Sequence, residues 1–235
     1  MLLTIHDVLN PAELSQIRDY LKKTQWADGK HTAGYQSAQV KNNYQLSEDA
    51  PYLSQLRNII MNALMQNATF VSAALPKQIF PPLFNRYTGA ANHFGWHVDG
   101  AMRPLVNGTG YLRTDISATL FLADPDTYDG GELVIRDTFG EHAVKLPAGS
   151  LVLYPSSSVH EVRATTRGER LACFLWLESM VRCPHQRRML YDLDMALLEL
   201  RSLVLADGSN IDQHGALVAL TGTYHNLLRM WGESR

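Results

Sequence analysis

A mainly β core with flanking helices is the fold class that the sequence predicts. Three observations lead there. Helical periodicity occupies both ends of the chain. From about Lys77 to Glu178 it gives way to short apolar or alternating runs. Gly, Pro and Asp separate these runs, which favours a sandwich or barrel over a parallel sheet alternating with helices.

At the N-terminal end, Asn10-Pro11-Ala12-Glu13 has the form of a helix start, a capping side chain followed by proline at the first helical position. Leu14, Ile17 and Leu21 then recur at helical spacing. The Gly/Gln/Asn-rich stretch from Asp28 to Tyr44 reads as loop or edge strand. A second helix is expected from Glu48 to Asn67, with Leu53, Leu56, Ile60 and Leu64 on one face. The expected strands are Ile79–Tyr87, Ser117–Leu122, Glu132–Ile135, Ala143–Leu146, Ser150–Tyr154, Val159–Arg163 and Arg170–Leu177. Beyond Arg182, Met189, Leu193, Leu197 and Leu200 mark a helix, Ala206-Asp207-Gly208-Ser209 breaks it, and Leu217 to Met230 resumes it. Met189, Met195 and Met230 read as core filler. The expected organisation has three parts: a helical support packed on the core over residues 1–76, the β core over 77–180, and a helical segment over 181–235. The last could cover the site or form a homodimer.

The chain has 235 residues, 46% hydrophobic and 19% charged, an ordinary globular balance. A net charge of -2 supplies no field for nucleic acid or an anionic membrane, so neither is an expected partner. Cys173 and Cys183 cannot build a disulfide framework. The opening MLLTIHDVLN lacks a basic region, and no apolar run has the length of a membrane span, so a cytoplasmic protein is expected.

Chemistry concentrates in four residues. In an extended segment, residues i and i+2 project to one side, so His97-Val98-Asp99 can present an imidazole and a carboxylate to a single ion. His160 begins a strand-like run and supplies a second imidazole. Two histidines and a carboxylate on one face of an octahedron leave positions open for other ligands, the pattern of non-haem iron(II) oxygenases. Ten residues further on, Arg170 opens the last strand. A buried guanidinium is costly unless paired, and its fork matches a carboxylate. A solvated arginine in the Thr166–Arg170 turn is the plain alternative.

These residues, in this order, resemble the 2-oxoglutarate- and iron(II)-dependent dioxygenases of the prolyl-4-hydroxylase type. The resemblance is carried by Asn85-Arg86-Tyr87-Thr88-Gly89 and Phe94-Gly95-Trp96-His97-Val98-Asp99. It continues through Ser117–Leu122 with Gly130-Gly131-Glu132-Leu133, and Pro147–Pro155 with His160-Glu161-Val162. Including its helical ends, the chain looks closest to the bacterial PKHD-type hydroxylases, the PiuC group linked to iron uptake. The resemblance implies a double-stranded β-helix, or jelly-roll, core. It implies Fe(II) on His97, Asp99 and His160, with 2-oxoglutarate clamped by Arg170 and O2 as cosubstrate. Ascorbate is an expected auxiliary. Tyr87 is expected to hydrogen-bond 2-oxoglutarate or to pack on the sheet, and Trp176 to line the cofactor pocket or the core. The implied reaction couples decarboxylation of 2-oxoglutarate, to succinate and CO2, with hydroxylation of a C–H bond. The substrate, a small molecule or a protein side chain, is not legible. Asp99 argues against the related halogenases, which replace that carboxylate.

Other residues stay open between a role and none. Phe121 and Leu133 read as core rather than pocket wall. His93 reads as a loop histidine rather than a substrate contact. Met102, Arg103 and Asn107-Gly108-Thr109-Gly110 form either a lid or a plain connection. Arg113 and Asp115 are expected to face water rather than to pair near the site, and Glu161 to point away from the metal. Two rival functions remain at this stage: a cupin-like metalloenzyme that does not use 2-oxoglutarate, and a non-enzymatic iron or 2-oxoglutarate sensor.

Overall fold

Asn10 starts the first helix through a reciprocal cap. Its side chain accepts a hydrogen bond from the Glu13 amide at 2.9 Å, and the Glu13 carboxylate accepts one from the Asn10 amide at 2.9 Å. The helix Pro11–Lys22 follows, burying Ile17 and Leu21. The computed structural model describes residues 1–32, 34–105, 108–206 and 214–233.

The next helix buries Leu53, Leu56, Ile60 and Leu64, the face the periodicity predicts, but it spans Leu53–Gln66 and not Glu48–Asn67. Tyr52, at φ 65°, turns the chain immediately before it, which delays the start. A short helix, Ala68–Ala74, follows.

Most of the β residues form two facing sheets, the jelly-roll core. The larger runs Leu3–Ile5, Leu151–Pro155, Ile116–Phe121, Arg170–Ser179, Leu83–Tyr87, Tyr44–Leu46 and Trp26–Asp28, with Pro76–Ile79 paired to the far end of Arg170–Ser179. The smaller runs Gly140–Val144, Leu133–Asp137, Val159–Val162, His93–His97 and Lys41–Asn42. The expected strand Ile79–Tyr87 is thus two strands. Pro81 and Pro82 lack the amide protons that continuous pairing needs.

The stretch expected as loop or edge strand is more ordered than that. It holds a short helix, Tyr35–Val40, then Lys41–Asn42 on the smaller sheet and Tyr44–Leu46 on the larger. The chain therefore crosses between the sheets at Asn43 and closes one side of the roll. The first 76 residues supply strands as well as helices.

Period-two alternation decides what each face does. Ala118, Leu120, Leu151, Leu153, Cys173, Leu175 and Leu177 point outward into a core shared with the N-terminal helices. Tyr87, Phe121, Leu133, Ile135, Val152, Tyr154 and Val162 pack between the sheets. Ser117 and Thr119 share the inward face of their strand with Phe121.

The helices Pro184–Ala206 and Gly215–Trp231 meet near Leu75, Val181 and Leu190. Asp194 accepts a hydrogen bond from Ser72 Oγ at 2.5 Å. The buried positions of the first of these helices are Arg187, Leu190 and Leu197, not the stripe drawn through Met189 and Leu200. Met189 is 58% and Met230 75% exposed, so neither fills the core. The helix is rotated to bring Leu190 onto the apolar cluster, which leaves Met189 outside. The expected break at 207–209 lies outside the described residues. Among the described residues, no helix is long and apolar enough to cross a membrane.

Arg113 and Asp115 do not face water; of the two readings it is the pairing that the structure shows. Arg113 binds Asp115 through Nε at 2.8 Å and Nη2 at 3.0 Å, and reaches Glu178 and Glu233 as well. Asp115 also accepts from the Ser179 amide at 2.9 Å. Lys77 likewise pairs with Glu178 and Glu233, so Arg113 and Lys77 together tie the C-terminal Glu233 to the sheet.

Candidate metal centre and cosubstrate cavity

His97 and His160 stand opposite each other on neighbouring antiparallel strands. Both side chains project between the sheets, with ring centroids 4.2 Å apart. Asp99 lies just past the end of the His93–His97 strand and returns its carboxylate to within 3.7 Å of His160 Nε2. One ligand atom from each of the three lies within 4.8 Å of the others.

Backbone carbonyls fix both imidazole tautomers. His97 Nδ1 lies 2.8 Å from the Gly95 oxygen, and His160 Nδ1 lies 3.0 Å from the Ser158 oxygen. A carbonyl only accepts, so each Nδ1 carries the proton and each Nε2 keeps a lone pair for a cation. Burial, reinforced by the neighbouring His160, pushes the His97 pKa down to about 4. His97 is therefore neutral at ordinary pH, the form in which an imidazole can bind a cation. Phe94 stacks on its ring at 3.6 Å between centroids, and Tyr154 meets His160 edge-on at 5.0 Å.

Asp99 is oriented by a residue the sequence reading did not single out. Ser117 Oγ donates to Asp99 Oδ2 at 2.6 Å and lies 2.8 Å from Ser156 Oγ. With its one proton given to Asp99, Ser117 accepts from Ser156. Ser117→Ala is expected to weaken iron(II) binding by about 10- to 100-fold while leaving 2-oxoglutarate affinity unchanged. Anaerobic competition against a metal chelator measures the first, and ligand titration the second.

The cavity continues from the triad to Arg170, which is 1% exposed and pairs in register with Tyr87. Arg170 Nε donates to the Gly131 carbonyl at 2.8 Å, but neither Nη group has a hydrogen-bond partner. Gly131 makes this approach possible: its φ is +69°, and an added Cβ would lie 3.0 Å from Arg170 Cδ. The Arg170 guanidinium sits 5.2 Å from the Tyr87 ring centroid and 5.3 Å from that of Phe121. Tyr87 is buried, and its hydroxyl lies 3.5 Å from Asn85 Nδ2. Burial raises the Tyr87 pKa, so it stays a neutral hydrogen-bonding phenol.

Trp176 lines the same cavity at its other end, opposite Ser117 in register and so beside the Asp99 support. Leu133, expected as core, lines the cavity too. Phe121 packs with the inner apolar cluster. His93 sits in a strand and contacts Asn92. Glu161 points away and lies 3.6 Å from Arg163. Met102–Pro104 pairs with Tyr111–Arg113, so the stretch after Asp99 is a two-stranded hairpin; Asn107 lies outside the described residues.

Sequence reasoning also missed Lys41, Asn43 and Asn85 on the cavity wall. Period two could have found Asn85, two residues before the inward Tyr87. Lys41 and Asn43 become wall residues only through the crossing between sheets. Lys41 donates to Gln45 Oε1 at 2.9 Å, and burial lowers its pKa to about 8. Between pH 8 and 10.5 the unfolded chain holds a proton at Lys41 that the folded chain has lost, so folding stability gains with pH across that window. Lys41→Met is expected to flatten this gain. Urea unfolding of parent and variant at pH 7.5, 9 and 10.5 measures it.

The residues fit both expected groups. Two neutral imidazoles and a carboxylate suit iron(II) better than a thiolate-rich set would. The buried, unpartnered Nη groups of Arg170 suit a carboxylate, which would remove their desolvation cost.

Comparison with known proteins agrees with this geometry. Residues 82–178 match the family described as the 2OG-Fe(II) oxygenase superfamily, and residues 185–233 match the PKHD-type hydroxylase C-terminal domain. The chain is 59% identical over 234 residues to a PKHD-type hydroxylase of Nitrosomonas europaea, covering 100% of both chains. It is 54% identical over 234 residues to one of Azoarcus sp., again covering 100% of both. In fold it is similar to a prolyl hydroxylase from Trichoplax adhaerens, with TM-score 0.51 and 15% identity over 80% of this chain and 86% of the other. It is also similar to the carbocyclase SnoK of nogalamycin biosynthesis, with TM-score 0.53 and 16% identity over 77% and 80%. Fold, metal-ligand cluster and family match define a 2-oxoglutarate- and iron(II)-dependent oxygenase. Within that class the chain belongs to the PKHD-type hydroxylases.

Proposed function

We propose that this chain hydroxylates a C–H bond of a substrate bound at the Trp176 end of the cavity. In this reading His97, Asp99 and His160 hold iron(II), and Arg170 with Tyr87 holds 2-oxoglutarate. The observation that carries it is the pair of buried, unpartnered Arg170 Nη groups in the same cavity as the triad. A structural arginine would have a protein partner there.

Iron(II), when bound, supplies the redox chemistry that couples oxidative decarboxylation of 2-oxoglutarate, to succinate and CO2, with oxygen insertion into the substrate. The chain's own residues supply position and dryness. The imidazoles offer Nε2 on one side of the ion. Ser117 keeps the Asp99 carboxylate turned toward it. Arg170 takes the distal carboxylate of 2-oxoglutarate, and the Tyr87 hydroxyl is placed to assist. Leu133, Val162 and Phe174 wall the space between and exclude water.

The substrate is a small metabolite or a protein side chain. A link to iron uptake, use of ascorbate and a cytoplasmic location join the proposal from the family resemblance. A homodimer through the C-terminal helices is likewise proposed. Leu203, Leu205 and Val218 there are 59%, 61% and 55% exposed, and light scattering tests the dimer.

The deciding experiment incubates iron-loaded protein with 2-oxoglutarate, oxygen and a metabolite extract. The expected result is succinate formation together with a metabolite heavier by one oxygen atom, both lost when any of the three is left out. Unconsumed 2-oxoglutarate, with and without extract, would count against the reading.

A further inference from the structure

We propose that Asn43 is a further residue of the cosubstrate site, and that its side-chain amide donates a hydrogen bond to the distal carboxylate of 2-oxoglutarate beside Arg170. The proposal rests on the oxygenase reading. It adds a binding residue from outside the segment that matches the oxygenase superfamily.

Asn43 is the residue at which the chain passes from one sheet to the other, between Lys41–Asn42 and Tyr44–Leu46. It is 2% exposed and lines the same cavity as Arg170, Tyr87 and the triad. Neither Nδ2 nor Oδ1 of its side chain has a hydrogen-bond partner. Since both ends lack one, either orientation of the carboxamide leaves an N–H donor unused. Buried amides normally find partners, and one without them is destabilising.

The crossing does not need this side chain. The Gly29 amide donates to the Asn43 backbone carbonyl at 2.9 Å, which fixes the main chain. A Cβ at Gly29 would run into Asn43 Oδ1, so residue 29 leaves room for the carboxamide. On either side of Asn43, Lys41 Nζ donates to Gln45 Oε1 at 2.9 Å, whereas the side chain between them has no such bond.

Register brings Asn43 to the other cosubstrate residues. Gln45 pairs with Asn85 and Tyr44 with Arg86, so one further step sets Asn43 beside Tyr87. Tyr87 pairs in turn with Arg170. Asn43, Tyr87 and Arg170 thus form a row across three neighbouring segments that line one cavity. The Tyr87 hydroxyl reports the same neighbourhood. Burial raises its pKa, while Arg170 and then the Asn43 amide lower it. The amide and the hydroxyl nevertheless make no hydrogen bond of good geometry, so Asn43 keeps its donor.

A carboxylate accounts for the row. Its two oxygens present about four lone-pair positions, and a bidentate arginine fills two of them. The Asn43 amide and the Tyr87 hydroxyl are the neutral donors beside Arg170, and they add bonds without adding charge.

The test is calorimetric titration of anaerobic, iron(II)-loaded protein with two ligands. 2-Oxoglutarate carries the distal carboxylate, whereas oxalate chelates the metal and lacks that group. Asn43→Ala is expected to weaken 2-oxoglutarate binding about tenfold, because a hydrogen bond to a charged group is lost. Asn43→Asp, which keeps the side-chain volume, should weaken it further, because a carboxylate then faces a carboxylate. Both variants should bind oxalate as the parent does, which shows that metal and cavity are intact. Parent-like affinity for 2-oxoglutarate in Asn43→Ala would overturn the proposal. So would an equal loss of both ligands, which would make Asn43 a structural residue. A parent that binds iron(II) and oxalate but not 2-oxoglutarate would overturn the oxygenase reading itself.

Discussion

Asp99→Ala is expected to lower iron- and 2-oxoglutarate-dependent succinate formation by about a thousandfold or more. Loss of a hydrogen bond to a metal ligand costs about 10- to 100-fold, and loss of the ligand itself costs more. Asp99 is also the one negative side chain among the cavity-lining residues. Anaerobic iron titration should show the binding defect directly, and succinate measurement the activity defect. Parent-level succinate production by the variant would remove Asp99 from the centre. His97→Ala and His160→Ala should follow the same pattern, since their protonated Nδ1 atoms leave only Nε2 to bind.

The second large effect falls on the cosubstrate. Arg170→Ala is expected to weaken 2-oxoglutarate binding by roughly 30-fold or more, because truncating one partner of a buried charge pair costs about 2–5 kcal/mol. Iron binding should change by less than about twofold, because Arg170 touches no member of the triad. A companion variant separates binding from folding. In the absence of ligand, Arg170 is a buried cation with two unpartnered nitrogens, and such a group destabilises the apoprotein. Arg170→Met should therefore melt at or above the parent temperature without ligand, and should lose the rise in Tm that 2-oxoglutarate gives the parent. Parent-like stabilisation by 2-oxoglutarate in either variant would take Arg170 out of this role.

The fold was legible where periodicity and burial agree. Leu53, Leu56, Ile60 and Leu64 announce a helix face because one side of that helix meets the sheet. The run Arg170–Leu177 announces a strand because both of its faces are covered. Legibility failed where a long-range contact overrides the local pattern. Lys41–Leu46 carries too few apolar residues to signal a strand, and its pairing with His93–His97 and Leu83–Tyr87 exists only in the folded roll. Met189 fits a helical stripe as well as Leu190 does, and the position of Leu75 and Val181 selects Leu190.

The site divides in the same way. His97, Asp99, His160 and Arg170 could be named because metal and carboxylate binding demand particular residue types, and those types stand at informative places in the chain. Ser117 carries no such demand, since a serine in a strand has many uses. Its inward alternation with Thr119 was the available clue.

The central claim is that one cavity holds iron(II) on three side chains and 2-oxoglutarate on a fourth. An anaerobic crystal structure of the protein with iron(II) and 2-oxoglutarate tests it most directly. The account predicts a single cation coordinated by His97 Nε2, His160 Nε2 and an Asp99 oxygen, chelated by 2-oxoglutarate, with the distal carboxylate of that molecule on the Arg170 Nη groups. A cation bound elsewhere, or 2-oxoglutarate turned away from Arg170, would contradict it.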